Sequence, residues 1–207
     1  MKIQYCKIRW QLASKLWLLV GLSLLTACSS GPLVRDYVAP VNECCTRISD
    51  FQFRPILLGQ EFVLDVTSTN ATYQFVPGHN EHFVAFSMPS DIRATAIQTK
   101  SFLSTDYLPK STALFPDFIF LNDGYQEIGR SGVTNLQERG DFWGGALAGN
   151  VKVPAGARYF IIVAGKGDGS NYYHSANGNL HPIPAAALGK IAIKVYGEAA
   201  AMDAGKQ

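Results

Sequence analysis

The chain has 207 residues, with 18 basic and 16 acidic side chains and a formal charge of +2. Four of the basic residues and none of the acidic ones precede Cys28, so residues 28–207 carry 14 basic and 16 acidic side chains and a charge of −2. This balance leaves no basic surface of the kind that nucleic-acid binding needs, and we predict no nucleic-acid partner. Apolar residues make up 47% and charged residues 16%, which excludes a disordered chain and indicates a globular, β-rich body.

The N-terminal segment has the form of a bacterial export signal. Basic residues up to Lys15 precede an apolar run from Leu16 to Leu25, and this run is roughly half of the 20 residues that a membrane-spanning helix needs. The run ends in Leu25–Thr26–Ala27–Cys28, a quartet that resembles the bacterial lipobox. We therefore predict a signal peptide over residues 1–27, cleavage between Ala27 and Cys28, and acylation of Cys28.

Acylation at Cys28 would tie the chain to a bilayer. Each buried CH₂ contributes about 0.8 kcal/mol, so the three acyl chains of a lipoprotein make an effectively permanent anchor in membrane lipid. Ser29, and not an aspartate, follows the cysteine. By resemblance to the lipoprotein sorting rule, we expect the outer membrane, with the protein facing the periplasm. Residues 28–43 contain two prolines and little periodicity, so we interpret them as the lipidated N-terminus and a tether.

Two neighbouring cysteines, Cys44 and Cys45, follow the tether. The periplasm is oxidising, so neither thiol is expected to stay free. A local disulfide between the two is our first interpretation, and a bridge from each cysteine to another chain is the alternative. A redox function is not favoured, because no Cys-x-x-Cys spacing accompanies the pair.

Residues 44–198 contain short β-prone runs separated by turn signals, and no convincing amphipathic helix. In chain order the runs are Phe62–Val66, Tyr73–Val76, Phe83–Met88, Ile92–Thr99, Phe118–Leu121, Tyr125–Ile128, Val151–Val153, Tyr159–Ala164 and Ile191–Tyr196. Asn122–Asp123–Gly124 between two runs predicts a tight hairpin turn. This pattern predicts one all-β domain over 44–198, a jelly-roll-like β-sandwich, followed by a flexible tail over 199–207.

One polar stretch, residues 165–190, interrupts the series of strands. A loop of this length in a compact domain indicates function or disorder, and its tyrosines and histidines favour function. Tyr172, Tyr173 and His174 are candidate sugar or partner contacts, because a tyrosine offers an apolar face and a hydroxyl. Trp143, the only tryptophan after the predicted signal, is a further candidate contact, although a core position beside a glycine bulge is the interpretation that we favour.

Motifs for catalysis and metal binding are weak. His79 and His82 are three residues apart and not four as in the zinc-helix motif, so we interpret them as a turn leading into a strand and predict no metal site. Gly165–Ser170 lacks the P-loop spacing, which favours a flexible loop. No Gly-x-Ser-x-Gly elbow occurs. We therefore predict no catalytic residues, no cofactor and no enzymatic activity.

Several segments carry a family resemblance that covers most of residues 44–196. They are CCTRISDF at 44–51, FVAFSMP at 83–89, FPDFIFLN at 115–122, RYFIIV at 158–163, NGNLHPIP at 177–184 and GKIAIKV at 189–195. Together they resemble the MalM family, periplasmic proteins encoded with maltose and maltodextrin uptake systems. The lipobox departs from members exported as soluble proteins, and the long C-terminal extension of some members has no counterpart, so no role of that extension is transferred.

The resemblance implies a non-catalytic accessory role in carbohydrate transport. The candidate partners are an oligosaccharide and a porin or other uptake component. The family offers no catalytic residues to carry over. The alternative is a structural or assembly lipoprotein of the envelope that has protein partners only.

Overall fold

β-Strands account for most of the described structure. The computed structural model describes residues 32–40, 44–141, 144–167 and 171–199. The strands are β1 Arg54–Pro55, β2 Glu61–Val66, β3 Thr72–Val76, β4 His79–Ser87, β5 Ile92–Phe102, β6 Pro116–Leu121, β7 Glu127–Gly132, β8 Thr134–Asp141, β9 Gly144–Lys152, β10 Tyr159–Ala164, β11 Tyr172–His174, β12 Leu180–Pro182 and β13 Gly189–Ala199. Short 3₁₀ turns lie at Val34–Asp36, Ile48–Asp50 and Leu108–Lys110. Within the described ranges, no helix has the length and apolar character that crossing a bilayer requires.

Two sheets hold most of these strands. The six-stranded sheet has the order β1–β4–β10–β6–β7, with β3 also paired to β4; β1 is parallel to β4 and the other pairs are antiparallel. The five-stranded sheet has the order β2–β13–β5–β9–β8 and is antiparallel throughout. The chain crosses between the sheets several times, so each sheet combines strands that are distant in sequence. β11 and β12 form a separate two-stranded hairpin.

The main core lies between the two sheets. Its largest side chains are at most 1% exposed, and they are Phe86, Phe118, Phe120 and Phe160 from one sheet and Ile97, Ile191 and Ile193 from the other. The rings of Phe86 and Phe160 stack at 5.1 Å between centroids. Full burial of a side chain of this kind contributes roughly 1.5–3 kcal/mol, so this layer is the main source of stability.

A second apolar layer covers the outer face of the six-stranded sheet. Side chains on β4, β6 and β10 that point away from the main core, such as Phe83, Ile119 and Ile161, are also buried. Phe51 packs over them and stacks on Phe83 at 4.3 Å, while Phe53 packs at 4.7 Å from Tyr159. The segment before β1 therefore acts as a cover for this sheet.

The predicted all-β sandwich is confirmed, and each predicted β-prone run overlaps a strand. β8 was not predicted, because its residues TNLQERGD include a single large apolar side chain, and the two-residue β1 was not predicted either. Residues 165–190 were interpreted as one long loop, whereas β11 and β12 form a hairpin inside that stretch. Tertiary contacts hold β8 and this hairpin in place.

The turn between β6 and β7 differs from the predicted Asp-Gly turn. The residue with positive φ is Tyr125, at +59°, and not Gly124. The Asn122 side chain accepts hydrogen bonds from the backbone N–H groups of Gly124, at 2.9 Å, and Gln126, at 3.0 Å. The Tyr125 ring stacks on Tyr159 at 4.7 Å. Side-chain bonding and ring stacking together offset the cost of a left-handed conformation at a non-glycine residue.

Residues 32–40, which the sequence analysis placed in the tether, contact the folded body. Leu33 forms an antiparallel bridge with Ala186, and Val34 N–H donates to the Ala185 carbonyl at 3.0 Å. Farther along, the Pro40 carbonyl accepts a hydrogen bond from Thr72 at 3.2 Å. Composition could not reveal this docking, because backbone hydrogen bonds to a distant segment leave no periodic signal in the sequence.

Candidate functional site

The structure separates the residues that the sequence analysis selected. Ala27, Cys28 and Trp143 lie outside the described residues, as do residues 200–207 of the predicted tail. Cys44 and Cys45 are joined by a disulfide, and Cys45 packs against the cover layer of the six-stranded sheet. Tyr172, Tyr173 and His174 together form β11.

The β11–β12 hairpin is closed by a turn over Ser175–Asn179. Ser175 N–H donates to the Asn179 carbonyl and Gly178 N–H to the Ser175 carbonyl, both at 2.8 Å. Gly178 adopts φ +82°, a conformation that an L side chain rarely takes. The Asn-Gly-Asn sequence at this point is a local signal for such a turn, and it was recognised only as part of the family resemblance.

Two side chains of β11 fasten the hairpin to the five-stranded sheet. Tyr173 lies against Gly145 of β9, where a Cβ atom would approach its ring to 3.1 Å, and its hydroxyl donates to the Arg139 carbonyl at 3.4 Å. His174 donates its backbone N–H to a Glu138 carboxylate oxygen at 3.0 Å, and its ring Nδ1 contacts the same oxygen. β8 thus supplies the acceptors for both residues.

A groove of about 510 Å³ separates the hairpin from the segment around residues 103–109. Tyr107 and Tyr173 contribute aromatic surface, and Tyr107 is 61% exposed. Asp106, Asn177 and His181 contribute polar groups from the two sides. The groove therefore combines an accessible ring with a carboxylate, an amide and an imidazole.

This combination suits a ligand with many hydroxyls. The apolar C–H face of a pyranose can lie on a tyrosine ring, while carboxylate and amide groups exchange hydrogen bonds with the hydroxyls. Burial, with a smaller contribution from the negative charge of Glu138, raises the pKa of Tyr173, whose hydroxyl proton is donated to the Arg139 carbonyl, so this residue offers a ligand mainly its ring. Asp106, Tyr107 and His181 were not predicted, because residues 103–109 and the hairpin approach each other only in three dimensions.

The other side of the hairpin has a different character. Neighbouring residues of a strand point to opposite sides, so Tyr172 lies on the face opposite Tyr173. Tyr172 is 42% exposed and Leu180 on β12 is 52% exposed, and both line a separate groove of about 700 Å³ against β8. The two adjacent tyrosines that the sequence analysis paired as one contact therefore face two separate grooves.

His79 and His82 also point to opposite sides of one strand, as their odd spacing on β4 requires. His82 is 3% exposed, and its Nδ1 lies 2.8 Å from the Asn70 carbonyl, so that nitrogen carries the proton. Its Nε2 then accepts a hydrogen bond from the Tyr37 hydroxyl at 2.8 Å. Within the described part of the chain, no three side chains of His, Cys, Asp or Glu gather as metal ligands would.

A polar cluster interrupts the covered face of the six-stranded sheet. Glu81 on β4 and Asp117 on β6 share this face with Arg130 on β7. Burial is the main cause that raises the pKa of both carboxyl groups, and the Arg130 charge lowers it in part. One Glu81 oxygen, Oε2, is buried without a hydrogen-bond partner. This cluster has no sequence signature, because its members come from three separate strands.

The glycines near Lys166 make room for this cluster. A Cβ atom at Gly165 would lie 2.5 Å from an Asp117 oxygen, and one at Gly132 would lie 2.8 Å from the same oxygen. Both glycines therefore allow the Asp117 carboxylate to pack against the backbone. Gly165 belongs to the glycine-rich stretch 165–170 that was compared with a P-loop. In the structure, this glycine has a packing role.

No protein-family model, curated protein or solved structure matches this chain. The resemblance to the MalM family accordingly stays a prediction.

Proposed function

We propose that the protein is a non-catalytic lipoprotein of the bacterial outer membrane that binds an oligosaccharide in the groove between the β11–β12 hairpin and residues 103–109. The observation that carries the proposal is the lining of this groove, where exposed Tyr107 stands with Asp106, Asn177 and His181. Aromatic and hydrogen-bonding groups in one concave site are what recognition of a small polar ligand requires.

The family resemblance supplies the biological context of the proposal. It suggests that the ligand is a maltodextrin and that the protein assists its transport, either by holding the sugar or by delivering it to an uptake component. Glycoside hydrolysis uses two carboxyl groups on either side of the scissile bond. Among the described residues that line the groove, Asp106 is the one with a carboxylate, which supports binding without turnover.

Calorimetric titration of the purified protein with linear maltodextrins and other oligosaccharides tests the proposal. We expect Tyr107→Ala to weaken binding by about tenfold, since loss of an aromatic contact costs roughly 0.5–1.5 kcal/mol. Tyr196→Ala is the matched control, because Tyr196 is an exposed tyrosine of β13 that does not line the groove. Native protein that binds none of the sugars, or equal weakening by both substitutions, would overturn the sugar-binding assignment.

The anchor has its own test, independent of the sugar. Mass spectrometry of the protein extracted from membranes should find an N-terminal Cys28 carrying acyl chains. An unmodified thiol or a retained leader would contradict the anchor and leave the groove assignment untouched. Cross-linking that recovers one envelope protein, in a chain that binds no sugar, would favour the alternative of protein partners only.

A further inference from the structure

Two backbone hydrogen bonds attach the first described residues after Cys28 to the body. Ala187 N–H donates to the Pro32 carbonyl at 2.9 Å and Val34 N–H donates to the Ala185 carbonyl at 3.0 Å, and together these bonds form the β-bridge between Leu33 and Ala186. The body residues that take part in this attachment, 185–187, come directly before β13. Pro32 is therefore a fixed point on the surface of the sandwich and not part of a free linker.

Covalent geometry limits how far this fixed point can be from Cys28. Only Ser29, Ser30 and Gly31 lie between Cys28 and Pro32. An extended chain advances at most about 3.6 Å per residue, so the two Cα atoms are within roughly 14 Å of each other. The polar headgroup layer on one side of a bilayer is itself about 5–7 Å thick. An acylated Cys28 would consequently keep the surface around Pro32 within roughly 14 Å of the headgroups.

A groove of about 700 Å³ opens at this surface. Its apolar lining comes from the docked segment and from β3, β10 and the residues before β13, and consists of Leu33, Val34, Val76, Ala164, Pro184 and Ala185. Two cationic residues, Arg35 and Lys166, also line it, together with His79 and Glu81 of β4. Arg35 is exposed and pairs loosely with Asp36 at 3.3 Å. Val76 is 47% exposed, so the apolar lining reaches the surface.

We propose that the groove beside Pro32 faces the bilayer and contacts phospholipids. Arg35 and Lys166 would meet lipid phosphates, and the exposed apolar lining around Val76 would meet the boundary between headgroups and acyl chains. This inference rests on the acylation of Cys28 in the proposed function. It adds the orientation of the sandwich and assigns a partner, the phospholipid surface, to a groove distinct from the one proposed for sugar.

Thiol labelling in vesicles tests the orientation. The full-length acylated protein is reconstituted into vesicles of phosphatidylethanolamine and phosphatidylglycerol, and a membrane-impermeant maleimide is added to Val76→Cys or Val63→Cys protein. The two positions are a matched pair, since both are valines in strands with exposed fractions of 47% and 41%. Protein without an introduced thiol gives the background. A Cys28→Ser chain, which lacks the anchor, gives the unprotected rate for each position.

We expect vesicles to slow the labelling of Val76→Cys by about tenfold relative to the anchorless chain, equivalent to about 1.4 kcal/mol, and to leave Val63→Cys unchanged. A flexible Gly-Ser insertion of about 12 residues before Pro32, spanning roughly 19 Å, should restore the labelling of Val76→Cys. Protection that survives the insertion also supports the proposal, and it assigns the contact to the groove itself.

Two results would overturn the proposal, and they differ in what they imply. If acylated protein bound to vesicles labels equally fast at both positions, the orientation is wrong and the anchor stands. If the chain is recovered unacylated in the aqueous fraction, the anchor fails and the orientation fails with it. Neither result affects sugar binding, which calorimetry measures on its own.

Discussion

The two sheets of this sandwich differ in how many of their faces are covered. The six-stranded sheet is buried on both faces, by the other sheet on one side and by the segment around Phe51 on the other. The five-stranded sheet faces the core on one side and largely solvent on the other, where Lys100 reaches across β13 to Glu61 at 2.8 Å. Ala192 lies between them, 1% exposed, and packs in a small apolar cluster with Phe102 and Ala146.

This difference is visible in the composition of the strands. FVAF in β4, FIFL in β6 and FIIV in β10 are continuous apolar runs, which are typical of strands covered on both faces. EFVLDV in β2 and IAIKVY in β13 alternate between core and solvent. A continuous apolar run in an antiparallel sandwich therefore signals a second covering layer, which here lies N-terminal to the sheet in sequence.

The largest expected effect comes from the shared core. Phe160→Ala should lower the free energy of unfolding by about 3–5 kcal/mol, because it removes a fully buried ring and leaves a cavity. Urea denaturation followed by circular dichroism measures the change. Val63→Ala, on the solvent face of β2, is the control and should cost less than about 1 kcal/mol. Equal losses would contradict the difference between the two faces.

Removal of the cover tests whether it belongs to the cooperative fold. Phe51 is 6% exposed and packs against both Phe83 and Tyr73. We expect Phe51→Ala to cost about 3 kcal/mol, at the lower end of the range for Phe→Ala, because the cover segment can partly close the cavity. A loss as small as that of the solvent-face control would mean that the outer apolar face does not depend on this ring.

The attachment of residues 32–40 to the six-stranded sheet predicts a smaller effect. Tyr37→Phe removes the hydroxyl that donates to buried His82 and leaves an imidazole nitrogen without its partner. The expected loss is about 1 kcal/mol by urea denaturation. Tyr107→Phe, at an exposed tyrosine of another segment, should be close to neutral. An unchanged stability in Tyr37→Phe would show that the hydrogen bond does not hold the segment.

The polar cluster on the covered face predicts a pH-dependent effect of small size. Burial raises the pKa of Asp117 above its value in the unfolded chain, so the native state binds the proton more tightly and loses stability as the pH rises through this window. Asp117→Asn removes that loss. The variant should match the native protein below about pH 4, where the unfolded carboxyl is protonated, and exceed its stability at neutral pH.

Urea denaturation across this pH range checks the sign. A variant that is less stable than the native protein at neutral pH would mean that attraction between Asp117 and Arg130 outweighs burial. On the five-stranded sheet the comparison residue is Asp65, an acid on the solvent face of β2. The result would therefore sharpen the distinction between a sheet with two covered faces and a sheet with one.

The sequence alone determined the fold class, because alternation and continuous apolar runs are local properties that report strands directly. It also brought Tyr172, Tyr173 and His174 to attention, since polar stretches with aromatic residues stand out against such strands. Only the tertiary structure decided that Tyr172 and Tyr173 face different grooves, that Asp106 and Tyr107 complete one of them, and that residues 32–40 attach beside Ala185. These arrangements depend on contacts between segments far apart in the chain, and neither periodicity nor spacing records which distant segments will meet.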